Sequence, residues 1–132
     1  MISRTPPELE VLRTVLIADD ESSIRLLVHA TIESDDYRVV EAADGAQAWA
    51  LTQELKPSLV LLDVQMPGRS GLEVLRSIKA DANLKATRVI LLTSKAQERD
   101  IEIGLIAGAD FYLTKPFSPL DLLTRVEEAL EL

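Results

Sequence analysis

The residue types that could do chemistry in this sequence stand directly after its short apolar runs. Asp19 and Asp20 follow the first run, Asp63 the third, Thr93 the fourth, and Lys115 comes just after the fifth. Carboxylates brought together repel one another unless a cation joins them, and oxygen ligands without His or Cys suit Mg²⁺ or Mn²⁺. A metal, a hydroxyl and an ammonium group could stabilise phosphoryl transfer to a carboxylate. Asp63 is the natural acceptor, because it stands alone whereas the other two aspartates form a pair.

The elements that must position these residues are predicted by alternating patterns. Five apolar runs alternate with five stretches of helical period, which predicts a doubly wound α/β domain with a five-stranded parallel sheet. The runs span residues 15–18, 37–40, 59–62, 89–92 and, more weakly, 111–113. The third and fourth are apolar on both faces, which is typical of parallel strands covered by helices on each side. Ligands bind beyond the carboxyl ends of such strands, so the chemistry-bearing residues should converge on one edge.

The ends of the predicted helices carry ordinary start and stop signals. Asp44-Gly45 precedes the second helix, and Ser118-Pro119 opens the last one. Residues 1–13 lie outside the alternation, and Thr5-Pro6-Pro7-Glu8 is typical of a capping box. We therefore expect residues 1–13 to form an N-terminal extension, either a short helix or a disordered arm, and residues 14–132 to form the domain.

Composition excludes several classes of function. The formal net charge is −8, from 14 Lys and Arg against 22 Asp and Glu, which argues against direct binding of nucleic acid or of an anionic membrane. The sequence has no Cys and a single His, which excludes disulfides, zinc–thiolate sites and multi-histidine metal sites. No apolar run approaches the ~20 residues of a membrane span, and the N-terminus lacks the apolar core of a signal peptide. We expect a cytoplasmic protein.

Each chemistry-bearing residue also has an ordinary structural interpretation. Asp19 or Asp20 could cap the helix that follows, and Asp63 could begin a turn. Thr93 suits the end of a strand because it is β-branched, and Lys115 could be a surface lysine. Each interpretation is reasonable for its own residue, but together they leave the convergence unexplained.

Four motifs make the sequence resemble the receiver domains of two-component response regulators, from about Thr14 to the C-terminus. They are Ile17-Ala18-Asp19-Asp20, then Leu61-Leu62-Asp63-Val64-Gln65-Met66-Pro67 with Gly71, then Leu92-Thr93-Ser94, and last Gly108-Ala109-Asp110-Phe111-Tyr112-Leu113-Thr114-Lys115-Pro116-Phe117. Any one motif is weak, but all four in order at domain spacing are specific. The resemblance implies a flavodoxin-like (βα)5 fold with strand order 2-1-3-4-5.

The resemblance also implies a phosphoacceptor switch rather than an enzyme with a separate substrate. Asp63 would take a phosphoryl group from the phosphohistidine of a sensor histidine kinase or from a phosphotransfer protein. Asp20 and Asp63 would hold Mg²⁺ directly, or Mn²⁺ in its place, with the backbone carbonyl of Gln65 as a further ligand. Asp19 would assist through water or by orientation. Thr93 would donate its hydroxyl to the phosphoryl group.

The remaining implied roles concern signalling after phosphorylation. Lys115 would pair with a phosphoryl oxygen, and the Lys115–Pro116 bond would be cis. Tyr112 would be the switch aromatic of an output face formed by the fourth helix, the fifth strand and the last helix, where a downstream protein target binds. Phe111 and Ile101 stand where charged residues are typical, which argues against a charge-paired dimer, so we expect a monomer or weak homodimer. Exposed Phe111 and Ile101 would favour an apolar docking site, and a buried Ile101 is an equally open alternative.

Competing functions fit the residues less well. A haloacid-dehalogenase-type phosphatase needs a second aspartate two positions after the first, where this sequence has Gln65. A flavin or nucleotide carrier needs a phosphate-cradling loop after the first strand, where Asp19-Asp20-Glu21 would repel phosphate. The sequence has no effector segment after its last helix, so we expect a stand-alone regulator. A receiver excised from a larger regulator or hybrid kinase, or a phosphorelay shuttle, is the alternative.

Overall fold

The α/β fold predicted from the sequence is confirmed by the computed structural model, which describes residues 12–94 and 98–131. Its elements are β1 Arg13–Ala18, α1 Ser22–Ile32, β2 Tyr37–Ala42, α2 Gly45–Leu55, β3 Leu59–Asp63, α3 Gly71–Ala80, a 3-10 turn Ala82–Leu84, β4 Arg88–Thr93, α4 Glu98–Ile106, β5 Phe111–Thr114 and α5 Pro119–Leu130. The predicted capping box at Thr5 and most of the predicted N-terminal extension lie outside the described residues.

The sheet is parallel throughout and has the expected order β2-β1-β3-β4-β5. Every residue of β3 is buried, as is every residue of β4 after its first. Successive side chains of a strand point to opposite faces, so the two central strands supply both cores of a doubly covered sheet. One core packs against α2 and α3 and the other against α1 and α5.

The helix starts follow the predicted capping chemistry. The Asp44 side chain accepts a hydrogen bond from the backbone N–H of Gln47 at 2.8 Å, and Ser118 forms a capping box with Asp121. Ser70 caps α3 in the same way, with Glu73 as its partner. Among the described residues, no helix has the length and apolar character needed to span a membrane.

Candidate functional site

The polar residues predicted to meet do converge at the carboxyl edge of the sheet. Lys115 Nζ lies 2.7 Å from Asp19 Oδ2 and 3.5 Å from Asp63 Oδ2. Asp19 and Thr93 are fully buried, and Asp63 is 5% exposed. The side chain of Lys115 is 16% exposed, so the ammonium group closes a cluster of buried charges rather than lying free on the surface.

Sheet register is what brings these residues together. Asp63 at the end of β3 pairs with Leu92 of β4, and Thr93 pairs with Thr114 of β5. The backbone N–H of Lys115 then donates to the Thr93 carbonyl oxygen at 2.6 Å, which holds the lysine beside the end of β4. The Lys115–Pro116 peptide bond is cis, as expected.

The capping interpretation of the aspartate pair is wrong. The residue at the N-cap of α1 is Glu21, and its side chain makes no capping hydrogen bond. Asp19 instead accepts a hydrogen bond from the Glu21 backbone N–H at 2.9 Å and directs its other carboxylate oxygen at Lys115. Asp20 is exposed at the rim. Asp19 is therefore engaged with Lys115 beneath the site, and neither aspartate stands at the N-cap of α1.

Burial makes the charge on Asp63 unfavourable. Desolvation and the nearby carboxylate of Asp19 raise the pKa of the Asp63 carboxyl to about 7, against the lowering effects of Lys115 and of the Gln65 backbone N–H. Burial by itself would lower the pKa of Lys115, but its hydrogen bond to Asp19 and the charges of Asp19 and Asp63 raise it overall. An added cation near Asp63 would relieve the repulsion among the carboxylates.

A cleft of about 270 Å³ opens in front of Asp63 and is lined by Asp20, Glu21, Asp63, Gln65, Ser94 and Lys115. Asp19, Asp20 and Glu21 each offer a carboxylate oxygen within 4.8 Å of those of the other two. The donors are oxygens throughout, and two of the three residues are exposed to solvent. This donor set fits a hard divalent cation such as Mg²⁺.

Glu21 is a cleft residue to which the sequence assigned no role beyond its membership of the acidic Asp19-Asp20-Glu21 stretch. Its carboxylate lies 3.3 Å from Lys115 Nζ, so the lysine faces three carboxylates at once. The signal available in the sequence was its position directly after the aspartate pair, where a short connection to α1 keeps it at the same edge.

The predicted output face differs in detail from the expectation. Phe111 is half-buried beneath the Arg125 guanidinium, which lies 5.7 Å from the ring centroid, and Ile101 is also half-buried. The expected exposure of Phe111 is therefore wrong, whereas the partial burial of Ile101 agrees with the alternative that the sequence left open for that residue. The exposed apolar side chains nearby are Ile106, at 88%, and Leu105 and Tyr112 at about 40%.

Comparison with known proteins finds a family match and relatives that cover most of this chain. Residues 15–127 match the response regulator receiver domain family. The chain is 42% identical over 118 residues to the phosphate regulon transcriptional regulatory protein PhoB of Pseudomonas aeruginosa, covering 89% of this chain and 52% of that protein. It is 41% identical to the transcriptional regulatory protein ResD of Bacillus subtilis, covering 88% of this chain and 47% of that one. The chain thus spans about half the length of these curated relatives.

A solved structure shows the same likeness. The chemotaxis protein CheY4 of Vibrio cholerae superposes with a TM-score of 0.83 at 32% identity, over 91% of this chain and 100% of that one. The relatives named as transcriptional regulators extend well beyond the shared region, whereas the chemotaxis protein does not.

Proposed function

The chain belongs to the response regulator receiver domain family, and on that premise we propose that it is a switch whose phosphoryl group is carried by Asp63. The observation that supports this assignment best is the environment of Asp63. Its buried carboxylate faces a cleft, lies 3.5 Å from one ammonium group and has its pKa raised to about 7 by desolvation and neighbouring carboxylates. The charge of such a buried and poorly compensated carboxylate can be stabilised by a bound ligand.

In the proposed reaction, an Asp63 carboxylate oxygen attacks the phosphorus of a phosphohistidine. The new P–O bond forms as the P–N bond breaks, and the bonding electrons leave with the imidazole of the donor. Lys115 favours the ionised form of Asp63 and lies close enough, at 3.5 Å, to pair with a phosphoryl oxygen after the transfer. Thr93, buried at the end of the neighbouring strand, would donate its hydroxyl to another oxygen.

Receiver domains bind Mg²⁺ at an acidic pocket, and the acidic cleft of this chain has suitable donors. We propose that Asp20, Asp63 and the backbone carbonyl of Gln65 hold the ion, with Asp19 acting through water or by orientation. When bound, Mg²⁺ neutralises charge that builds up on the phosphoryl oxygens. Asp19 is fully buried, so loss of its ion pair with Lys115 would leave a buried charge without a partner and would destabilise the fold.

Receiver domains are signalling switches that interact with histidine kinases or phosphotransfer proteins. In this chain we propose that phosphorylation draws Thr93 and Lys115 toward the phosphoryl group and changes the face formed by α4, β5 and α5. Tyr112 lies on that face and is 38% exposed, so it has room to change position. A downstream protein would read the change there.

The setting of the switch is a separate proposal. We propose a stand-alone regulator, because the matched chemotaxis protein is covered over its whole chain. We also propose that it makes no direct nucleic-acid contact, which its net charge of −8 disfavours, and that it acts as a monomer or weak homodimer. The alternative is a receiver that belongs to a longer regulator. PhoB and ResD favour this alternative, because each is about twice as long as the region that matches this chain.

The direct test is intact mass after incubation with Mg²⁺ and acetyl phosphate, with Asp63→Asn as the matched variant. We expect one phosphoryl group on the parent protein, none on the variant, and none on either protein in EDTA. A phosphorylated Asp63→Asn variant would place the acceptor elsewhere. If the parent takes up no phosphoryl group from the small donor and also does not bind beryllofluoride, the proposal fails.

A further inference from the structure

Arg69 lies in the connection between β3 and α3 and bridges two helices. Its guanidinium carbon lies 5.5 Å from the centroid of the Trp49 ring on α2. The same guanidinium donates a hydrogen bond to Ser77 Oγ on α3 at 2.6 Å. A half-buried arginine that stacks on one helix and hydrogen-bonds the next fixes the path of the loop that carries it.

The backbone of this loop is held against α2 as well. A Cβ atom added to Gly45 would lie 1.9 Å from the Arg69 carbonyl oxygen, so only glycine permits the approach. The Gly45 N–H points at the Pro67 carbonyl oxygen at 3.4 Å. Trp49 is one helical turn beyond Gly45, so backbone and side-chain contacts to the loop share one side of α2.

The same loop forms one wall of the acidic cleft. It begins right after Asp63, and its second residue, Gln65, lines the cleft and donates its backbone N–H to Asp63 Oδ1 at 3.4 Å. The Gly71 N–H donates to the Val64 carbonyl oxygen at 2.8 Å and so closes the loop on itself. The contacts that this closed loop makes with other elements therefore set the position of the Gln65 backbone.

We propose that Arg69 is a positioning residue for the metal site: its contacts with Trp49 and Ser77 hold the β3–α3 loop so that the Gln65 backbone faces the cleft in the geometry that Mg²⁺ needs. This inference rests on the proposed function, because it assumes that the cleft binds Mg²⁺. Arg69 acts through the loop and makes no contact with the metal.

The effect of Arg69 on the position of the loop can be distinguished from the effect of its charge. Removing a positive charge from a protein with a net charge of −8 should, by Coulomb attraction alone, strengthen binding of Mg²⁺. Loss of loop positioning should weaken it, because binding must then also order the loop. The two effects have opposite signs, so the direction of the change identifies the cause.

The test measures the Mg²⁺ dissociation constant of the full chain by calorimetry, together with the melting temperature in EDTA. We expect Arg69→Ala and Trp49→Leu each to weaken Mg²⁺ binding about 3- to 10-fold, the range that a stacked guanidinium contact represents. Arg69→Lys and Ser77→Ala, which each keep part of the bridge, should give smaller losses. Trp49→Phe keeps an aromatic face and should restore most of the affinity that Trp49→Leu loses.

Arg76→Ala is the matched control, since it removes an exposed arginine from α3 with the same change in charge. It should leave Mg²⁺ binding unchanged or slightly stronger. Equal or tighter binding by Arg69→Ala would overturn the inference. So would a lower melting temperature in EDTA with unchanged Mg²⁺ affinity, which is the signature of a purely structural contact.

A variant that fails to fold and a parent that binds no Mg²⁺ each have a defined consequence. If Arg69→Ala does not fold, Arg69→Lys and Ser77→Ala decide the question by the same comparison. A parent protein that binds no Mg²⁺ would overturn the proposed function and this inference together, whereas a parent that binds beside an unaffected variant overturns this inference alone.

Discussion

Asp63 and Asp110 are two poorly exposed aspartates at opposite ends of the sheet, and their surroundings differ in kind. Asp110, just before β5, accepts a hydrogen bond from the Val89 N–H at 2.8 Å and one from Lys79 Nζ at 3.2 Å. An Arg88 nitrogen lies 3.9 Å from its other oxygen. Its charge is matched by cations and a backbone dipole, which makes it a structural carboxylate.

Asp63, just after the Leu59–Leu62 stretch of β3, has the opposite balance. Within residues 12–94 and 98–131, its cation partner is Lys115, which lies 3.5 Å away and is closer to Asp19. The Gln65 backbone N–H donates to it at the long distance of 3.4 Å. Two further aspartates raise its pKa. Burial alone therefore does not define a functional site: what matters is whether the buried charge already has partners that compensate it.

The same chemical change at the two positions should therefore have opposite effects on stability. Asp110→Asn removes the charge that Lys79 and Arg88 face, and we expect it to lower the free energy of unfolding by about 2–3 kcal/mol. Urea denaturation at neutral pH measures this. Stability equal to that of the parent would show that Asp110 is not the structural partner that its hydrogen bonds indicate.

Asp63→Asn should stabilise the chain when no metal is present. The pKa of Asp63 is about 7 in the folded chain against 3.8 for the ordinary group, so the folded state loses stability as the pH rises through about 7. We expect the variant to exceed the parent by about 2 kcal/mol in EDTA near pH 8. The advantage should shrink as the pH falls from about 7 toward about 4, where the parent carboxyl is protonated in both states.

A series of urea titrations across that pH range checks this sign. An advantage that stays constant with pH would mean that the variant acts through packing rather than through the charge of Asp63. Asp110→Asn serves as the control in the same series, because its loss should persist at neutral pH and above.

Mg²⁺ should raise the melting temperature through the end of the sheet that carries Asp63 and not through the end that carries Asp110. The expected effect on stability is smaller than that of the two Asp→Asn substitutions. At about ten times its dissociation constant, the ion should raise the melting temperature of the parent by about 3–6 °C. Asp110→Asn should keep this increase from its lower starting point, whereas Asp20→Ala should lose most of it. Thermal melts with and without EDTA measure the difference, and an undiminished increase in Asp20→Ala would remove that residue from the metal site.

The smallest expected effect concerns Glu21, which shares Lys115 with Asp19 and Asp63. The Glu21 side chain is 58% exposed, so its ion pair with the lysine is weak. Glu21→Gln should speed phosphorylation by acetyl phosphate about 2- to 3-fold, because it frees the lysine and lessens repulsion of an anionic donor. Glu54→Gln, the same change at an exposed position on α2, should leave the rate of phosphorylation unchanged. A slower Glu21→Gln variant would instead assign the carboxylate to the metal.

The fold was predictable because its signals are local. Apolar runs marked each strand to within one or two residues, and Asp44 and Ser118 marked helix starts that the structure confirms. The convergence of Asp19, Asp63 and Lys115 also followed, since in a parallel sheet the carboxyl ends of the strands share one edge. Their chemical roles remain predictions that phosphorylation and metal binding must test.

Details that depend on contacts between distant segments were missed or wrong. Phe111 was expected to be exposed, but Arg125 of α5 covers its ring. Arg69 carried no local signal at all, because its partners Trp49 and Ser77 lie on two different helices.

The sequence by itself determined the order of strands and helices, the edge at which the polar residues meet, and the set of groups available there. Periodicity and capping are properties of neighbouring residues, so they can be read without coordinates. Only the tertiary structure decided that Lys115 lies nearer to Asp19 than to Asp63, and that the Asp63 charge is left poorly matched. Those results depend on distances and desolvation across several elements, and electrostatic energies change steeply with both.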